Sequence, residues 1–158
     1  MPLHDMLTVD RVARLASAGS RDAVIEAAAR LLAGAAASSG EITLIRDSLR
    51  AREALASTAI GHGVALPHGR LANLEDTRCA FLQLTPPVEF GALDGQPVDL
   101  VVAMAVPEHF VQEHLHRLAE VAQRFSDPAF RQTLRAAGSP EALYRLLVAD
   151  RPVAPECR

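Results

Sequence analysis

The 158-residue sequence contains no lysine and no tryptophan, and it has only one tyrosine, five phenylalanines and two cysteines. All 16 of its Lys/Arg cations are therefore arginines, and they are scattered along a chain of net charge −3. This distribution argues against a nucleic-acid-binding surface. With few aromatic residues, alanine, leucine and valine must fill the core. No run of about 18 apolar residues is present, so we expect no membrane insertion.

The two cysteines do not form a disulfide framework or the paired spacing of a metal site. Cys79 begins an apolar run, where we expect it to be buried, and Cys157 lies near the C-terminus. The N-terminus lacks the pattern of a signal peptide. Together these features favour a reducing, cytoplasmic location.

Helical signals occur at both ends of the chain. The length predicts a single domain over residues 1–158, with its core at about 5–150 and a tail at 151–158. Apolar residues recur at helical spacing after Ser20, and both Asp127-Pro128 and Ser139-Pro140 have the form of a helix start. The predicted helices cover residues 20–35, 41–54 and 111–125, followed by two that begin near 127 and 139.

The middle of the chain has the character of a β-sheet. Apolar runs predict strands at 63–66, 79–84 and 98–106, and the last of these is apolar enough to be covered on both faces. Pro86-Pro87 and residues 94–97 predict turns between them. Helices on either side of a strand block indicate an α/β domain whose sheet is covered by helices.

The strongest functional signal is the segment Gly-His-Gly-Val-Ala-Leu-Pro-His-Gly-Arg at residues 61–70. We expect the strand to stop at Pro67, which lacks an N–H group, and to present His68 at its end. Gly69 would leave space beside the ring for a phosphate or a partner's backbone. A neutral imidazole is a competent nucleophile near pH 7. The alternative is a histidine with only a structural hydrogen bond.

Three further side chains are candidates for the same site. His114 lies on the edge of the apolar stripe of its helix and is expected to point inward, whereas His116 points to solvent. Arg52 continues the apolar line of the second helix at that helix's end. The alternatives are a core histidine at 114, a cation that offsets the helix dipole at 52, and a solvated loop charge at Arg70.

The sequence contains little evidence for a metal site or a cofactor-binding site. The chain has six histidines, and the five at positions 62, 68, 109, 114 and 116 are many for so short a chain. However, the sequence lacks an H-E-x-x-H motif, a P-loop ending and a G-x-S-x-G elbow. We therefore expect neither a metal nor a cofactor.

The segment 52–70, with its Ser-Thr-Ala-Ile-Gly-His-Gly run leading into Pro-His-Gly, resembles the active-site signature of fructose/mannitol-type EIIA domains of the bacterial phosphotransferase system. It is most similar to their nitrogen-regulatory branch, EIIA-Ntr. The likeness continues through 93–100, 106–108 and 114–118, and it extends from about residue 5 to 150. It implies a mixed β-sheet flanked by helices on both faces, the EIIA type-2 fold.

The resemblance also implies roles for individual residues. His68 matches the phosphorylated histidine, His114 the second active-site histidine and Arg52 an active-site arginine. Ser57, Thr58, Gly69 and Arg70 become candidate phosphate or partner contacts. Two positions depart from the regulatory branch, because Arg70 replaces a usual lysine and His62 a frequent asparagine.

Family membership would make the chain a phosphohistidine carrier. The implied donor is a phosphorylated HPr-like protein (NPr). The implied targets of regulation are proteins such as potassium transporters or sensor kinases. Two alternatives are a sugar-transport EIIA that passes phosphate to an EIIB domain, and a regulatory binding module that is never phosphorylated.

Overall fold

The computed structural model describes residues 3–72, 74–109 and 111–149. Over these residues two short 3-10 helices, Leu3–Asp5 and Val9–Arg11, precede a set of strands and helices. The strands are β1 (Val12–Ala16), β2 (Ala59–Gly61), β3 (Val64–Ala65), β4 (His68–Leu71), β5 (Arg78–Val88) and β6 (Val98–Pro107). The helices are α1 (Arg21–Ala33), α2 (Ser39–Leu55), α3 (Val111–Phe125), α4 (Pro128–Ala136) and α5 (Pro140–Val148). The predicted tail 151–158, with Cys157, lies outside the described residues.

The strands form one mixed sheet in the order β1-β5-β6-β3-β2, and β4 also pairs with β6. β5 runs antiparallel to β6, whereas β3 and β4 both run parallel to it. Val64 pairs with Leu100 and His68 pairs with Met104, an offset of 36 residues in both cases. Strands β3 and β4 are therefore one strand along β6, interrupted at Leu66 and Pro67.

Two hydrophobic cores lie on opposite faces of this sheet. Helices α1 and α2 pack on one face through side chains such as Val24, Leu32 and Leu49. Helices α3, α4 and α5 cover the other through Phe125, Leu134, Leu143 and Leu147. Strand β6 contributes buried residues to both cores, as the apolar run at 98–106 predicted. The predicted mixed sheet flanked by helices on both faces is confirmed.

Most helix starts follow from local sequence. The side chains of Ser20, Asp127 and Ser139 accept backbone hydrogen bonds as N-caps, as predicted. Helix α2 begins two residues before the predicted Glu41. Ser38 is its N-cap and Glu41 is the third helical residue of a reciprocal capping box.

The strands differ from the prediction in two respects. Pro86 and Pro87 lie inside β5 rather than in a turn, at an irregularity in the pairing with β6 between Gln83 and Val88. The missing proline N–H groups are tolerated there, because a bulge leaves ladder positions unpaired. Strands β2 and β4 were not predicted, since three or four residues are too few to show alternation. None of the described helices has the length and apolar character needed to cross a membrane.

Candidate active site

His68 directly follows the break at Pro67, as predicted, but it is also the first residue of a further strand, β4, which the sequence did not predict. Its Nδ1 atom lies 2.9 Å from the carbonyl oxygen of Leu66. A carbonyl can only accept a hydrogen bond, so Nδ1 carries the proton in the neutral ring. The lone pair of that ring is then on Nε2. The break in the strand therefore fixes the tautomer as well as the position of the imidazole.

The surroundings of His68 favour its neutral form. Burial lowers the pKa of the imidazole below its ordinary value of 6.5, against the effect of the hydrogen bond to Leu66. The positive charges of Arg52 and Arg70 lower this pKa further, and the negative charge of Glu53 raises it. A ring with a depressed pKa is largely unprotonated at pH 7, which is the form that acts as a nucleophile.

Gly69 brings helix α2 against strand β4. A Cβ atom at this position would lie 2.3 Å from the Ser48 Oγ and 3.0 Å from the Ser48 carbonyl carbon. The Ser48 hydroxyl donates a hydrogen bond of 2.9 Å to the carbonyl oxygen of Arg70. Gly69 is buried, and its missing side chain makes room for α2. Arg52 lies one helical turn after Ser48, and this packing brings it to the site. The Gly69 backbone also lines the cavity beside His68, and its assignment as a phosphate or partner contact stays a prediction.

His68, Arg52 and Arg70 line one cavity of about 520 Å³. Within the described part of the chain, neither of the two guanidinium groups pairs with a carboxylate. Arg52 donates one hydrogen bond of 2.8 Å to the carbonyl oxygen of Ala56, just past the end of α2. The cavity therefore combines an imidazole with two cations whose charge is available to an anion.

Apolar side chains complete the cavity wall: Ala51, Leu55, Val106, Leu115 and Leu118. Leu55 and Leu115 are 82% and 56% exposed. Leu115 has the spacing of the apolar stripe predicted for α3, yet it is exposed. Among the residues of that helix whose burial the structure describes, Val121 and Phe125 are the buried ones. The exposed leucines at the cavity rim form the kind of surface that a protein partner covers.

Of the two histidines of α3, the structure describes the side chain of His116 but not that of His114. His116 is exposed and lies 3.6 Å from Glu120, which agrees with the predicted outward orientation. His114 lies in the same helix, but its side chain is outside the described part of the structure. Its assignment as the second active-site histidine stays a prediction.

Ser57 and Thr58 do not line the cavity. The Ser57 hydroxyl donates a hydrogen bond of 2.7 Å to the Phe90 carbonyl oxygen. The Thr58 hydroxyl donates one of 2.6 Å to Glu53. The Ser57 bond ties the connection between α2 and β2 to the segment after β5, and the Thr58 bond ties it to α2. Their assignment as phosphate or partner contacts also stays a prediction.

Glu53 is a residue near the site that the sequence interpretation missed. Its side chain is buried, with 4% exposure, although it is a carboxylate. The signal was present, because Glu53 continues at i+4 spacing the line of Ile45 and Leu49 that faces the core. A charged residue on an apolar helix face is unusual enough to be noticed from sequence.

The other His-Gly pair of the segment, His62-Gly63, forms the two-residue turn between β2 and β3. Both residues have positive φ angles, 59° and 81°. The turn is held by Asp94, whose carboxylate accepts from the His62 N–H at 2.9 Å. Arg135 also donates to the His62 carbonyl oxygen. Among the described residues no group of three His, Cys, Asp or Glu side chains could hold a metal ion.

Fold and sequence comparisons agree on the kind of protein. The family model for EIIA 2 of the phosphoenolpyruvate-dependent sugar phosphotransferase system matches residues 5–149. The crystal structure of the nitrogen regulatory protein IIA-Ntr from Neisseria meningitidis superposes with a TM-score of 0.81 at 35% identity, covering 90% of this chain and 97% of that one. The mixed sheet between two helical layers is thus the EIIA type-2 fold.

The chain belongs to the EIIA type-2 family of the phosphotransferase system. A nitrogen regulatory protein of Pseudomonas aeruginosa is 39% identical over 146 residues, which cover 92% of this chain and 94% of that protein. A 2-O-alpha-mannosyl-D-glycerate-specific EIIABC component of Escherichia coli is 32% identical over 130 residues, which cover 81% of this chain but only 20% of that longer protein. The resemblance inferred from residues 52–70 is confirmed, including its nitrogen-regulatory branch.

Proposed function

We propose that this protein accepts a phosphoryl group on Nε2 of His68 from a phosphorylated HPr-like protein. The observation that carries the proposal is the hydrogen bond between Nδ1 and the Leu66 carbonyl oxygen, which leaves the Nε2 lone pair free. The half-buried ring lines a cavity shared with Arg52 and Arg70, whose guanidinium groups pair with no carboxylate among the described residues. Membership of the EIIA family supports phosphotransfer through a phosphohistidine.

The chemistry requires little from the protein beyond positioning and charge. The Nε2 lone pair forms the new P–N bond, while the P–N bond to the donor's histidine breaks and the donor nitrogen keeps its electron pair. Arg52 and Arg70 neutralise charge on the three equatorial oxygens of the phosphoryl group in transit. We further propose that His114 donates a hydrogen bond to the same oxygens.

The protein partner would dock on the rim of the cavity. Leu55 and Leu115 are exposed beside His68, and they offer apolar contact around the reacting ring. A transient interface of less than about 1,200 Å² is sufficient for an exchange of this kind. No nucleotide or metal is needed, because the donor is already phosphorylated.

We propose that the phosphorylation state then controls other cytoplasmic or membrane proteins, with potassium transporters and sensor kinases as the expected targets. The match to nitrogen regulatory proteins along nearly their whole length supports this role. A sugar-transport role is the second candidate, because the chain also matches part of a sugar-specific EIIABC component. Transfer of phosphate from the phosphorylated protein to an isolated EIIB domain would favour the second role.

The test is incubation with a phosphorylated HPr-like donor, followed by intact mass measurement and mapping of the modified residue. We expect a gain of one phosphate that is labile in acid and maps to His68. His68→Ala should abolish the gain, whereas His62→Asn, a change in the other His-Gly pair, should not. A His68→Ala protein that still takes phosphate, or a wild-type protein that never does, would refute the proposal and favour a binding module.

A further inference from the structure

Glu53 has an environment that is unusual for an acidic side chain. It lies on the core-facing side of α2 and is 4% exposed. Its two oxygens accept hydrogen bonds from one residue, Thr58, at 2.8 Å from the backbone N–H and 2.6 Å from the hydroxyl. Because both donors carry their own hydrogen, the carboxylate can be ionised while both of its oxygens are bonded. Burying such a charge is costly, and the two hydrogen bonds from Thr58 offset part of that cost.

The Glu53–Thr58 contact fixes the segment that carries the site. Arg52 precedes Glu53 directly, and its guanidinium bonds to Ala56 within the same connection. Thr58 leads into β2, and its carbonyl oxygen accepts from the Leu66 N–H at 3.0 Å. Leu66 in turn provides the carbonyl that holds the His68 ring. One chain of hydrogen bonds therefore runs from Glu53 through Thr58 and Leu66 to the imidazole.

The charge of Glu53 also acts on His68. Of the charged groups that influence the imidazole, Arg52 and Arg70 lower its pKa and Glu53 is the one that raises it. The two arginines favour an anion on the ring, and the buried carboxylate opposes it. This opposition matters for a carrier, since a phosphoryl group held too firmly cannot be passed on.

We propose that Glu53 is a positioning residue of the His68 site, whose buried carboxylate fixes the turn after Arg52 and keeps a phosphoryl group on His68 transferable. The inference rests on the proposed function. Phosphorylation of Nε2 adds about two negative charges, and the fixed charge of Glu53 raises the free energy of that state.

The experiment separates the effect of the Glu53 charge from the effect of its hydrogen bonds to Thr58. Glu53→Gln can keep both hydrogen bonds, because the amide oxygen accepts from the Thr58 N–H and the amide nitrogen donates to the Thr58 hydroxyl. Asp47→Asn is the matched control, since it removes an exposed carboxylate from the same helix. For each variant the pKa of His68 is measured by NMR titration, and the equilibrium constant for phosphoryl exchange with the HPr-like donor is measured by intact mass.

We expect Glu53→Gln to lower the pKa of His68 and to shift the exchange equilibrium toward the phosphorylated protein by at least about threefold. Asp47→Asn should change neither. Thr58→Val should slow phosphoryl transfer by loosening the turn, and Thr58→Ser, which restores the hydroxyl, should recover the rate.

A folded Glu53→Gln protein with the wild-type His68 titration and the wild-type exchange equilibrium would overturn the inference. If Glu53→Gln does not fold, Thr58→Val and Thr58→Ser test the turn in its place, and equal transfer rates in both would count against it. Failure of the wild-type protein to take phosphate refutes the proposed function instead. The titration of His68 needs no donor and still tests the charge.

Discussion

His62-Gly63 and His68-Gly69 are the same dipeptide, six positions apart in one segment, and the fold uses them differently. The first pair is a turn with positive φ at both residues, and its imidazole is exposed. The second pair begins strand β4, where the ring is half-buried and its Nδ1 is bonded to Leu66. The glycine of each pair packs closely against a side chain from elsewhere, Arg135 for Gly63 and Ser48 for Gly69.

The arginines near these two pairs differ in the same way. Arg135 donates two hydrogen bonds of 2.9 Å to the Asp99 carboxylate, so its charge is neutralised within the fold. Arg52 has no carboxylate partner among the described residues and faces the cavity of His68. A positive charge paired with an anion inside the protein stabilises the protein, whereas an unpaired one is available to a ligand. The two arginines therefore differ in their partners and not in their residue type.

Apart from loss of the His68 nucleophile itself, the largest expected effects come from replacing each of the two arginines by alanine. Arg52→Ala should slow phosphoryl transfer by about 10²–10³, as the loss of one donor to a developing charge typically does, with little change in stability. Arg135→Ala should leave transfer near wild type and destabilise the fold by about 1–2 kcal/mol, because it removes a bidentate, partly buried pair. Donor-dependent labelling rates and urea unfolding measure the two effects.

Arg52→Lys is the conservative control for this pair of variants. A lysine keeps the charge but not the planar fork, so a partial recovery of rate is expected. If Arg135→Ala slows transfer as much as Arg52→Ala does while the protein remains folded, then Arg135 is not the purely structural residue that its pairing with Asp99 indicates.

The two glycines give the next largest effect. Gly69→Ala should cost about 2–3 kcal/mol of unfolding free energy, because the new methyl meets the backbone and Cβ of Ser48 within 3.0 Å. Helix α2 must then move, so Arg52 moves with it and transfer should slow as well. Gly63→Ala meets the Arg135 Nη2 at 2.6 Å and the Asp99 Oδ1 at 2.8 Å, which are side-chain ends that can shift.

We therefore expect Gly63→Ala to cost about 1–2 kcal/mol, mostly from strain at positive φ, without slowing transfer. Thermal and urea unfolding measure the cost, and donor labelling measures the rate. Transfer that is slowed equally by both glycine variants would show that the His62 turn also shapes the site.

Local patterns predicted the parts of this comparison that depend on neighbouring residues. N-caps and apolar spacing located most of the helices, and Pro67 indicated that the strand breaks before His68. The family signature in residues 52–70 then indicated the family and the fold, and it predicted His68 and Arg52 as site residues. Each of these signals is contained within about 20 residues of sequence.

The features that escaped prediction depend on contacts between distant parts of the chain. Gly69 is needed because Ser48 of α2 packs against it. Leu115 is exposed because the first part of α3 extends beyond the core. Strand β4 exists because β6 provides a partner for it. Glu53 was the exception, since its place on the apolar line of α2 was visible in the sequence.

A smaller effect is expected in the pH dependence of stability, to which His68 should contribute. The pKa of His68 is lowered by burial, so below its ordinary value of 6.5 the unfolded chain takes up a proton that the folded protein does not. Stability present above pH 6.5 is therefore lost as the pH falls toward the depressed pKa of the folded state. Melting temperatures of wild type and His68→Gln, measured between pH 8 and about pH 5, should diverge on the acid side.

His62→Asn serves as the reference in this measurement, because it changes the exposed imidazole of the other pair. It should lose melting temperature with falling pH as the wild type does. A His68→Gln protein whose pH profile coincides with that of the wild type would show that proton uptake at His68 is the same in the folded and unfolded states.

The smallest expected effect is a gain. His62→Asn places the residue preferred ahead of glycine in two-residue hairpin turns at a position with a φ of 59°. Because asparagine tolerates this left-handed backbone better than histidine does, the unfolding free energy should rise by about 0.5 kcal/mol. Phosphoryl transfer should be unchanged. His68→Asn, the same substitution in the second pair, should abolish labelling because it removes the nucleophile. Equal labelling of the two asparagine variants would contradict the assignment of the nucleophile to His68 and of a purely structural role to the His62 turn.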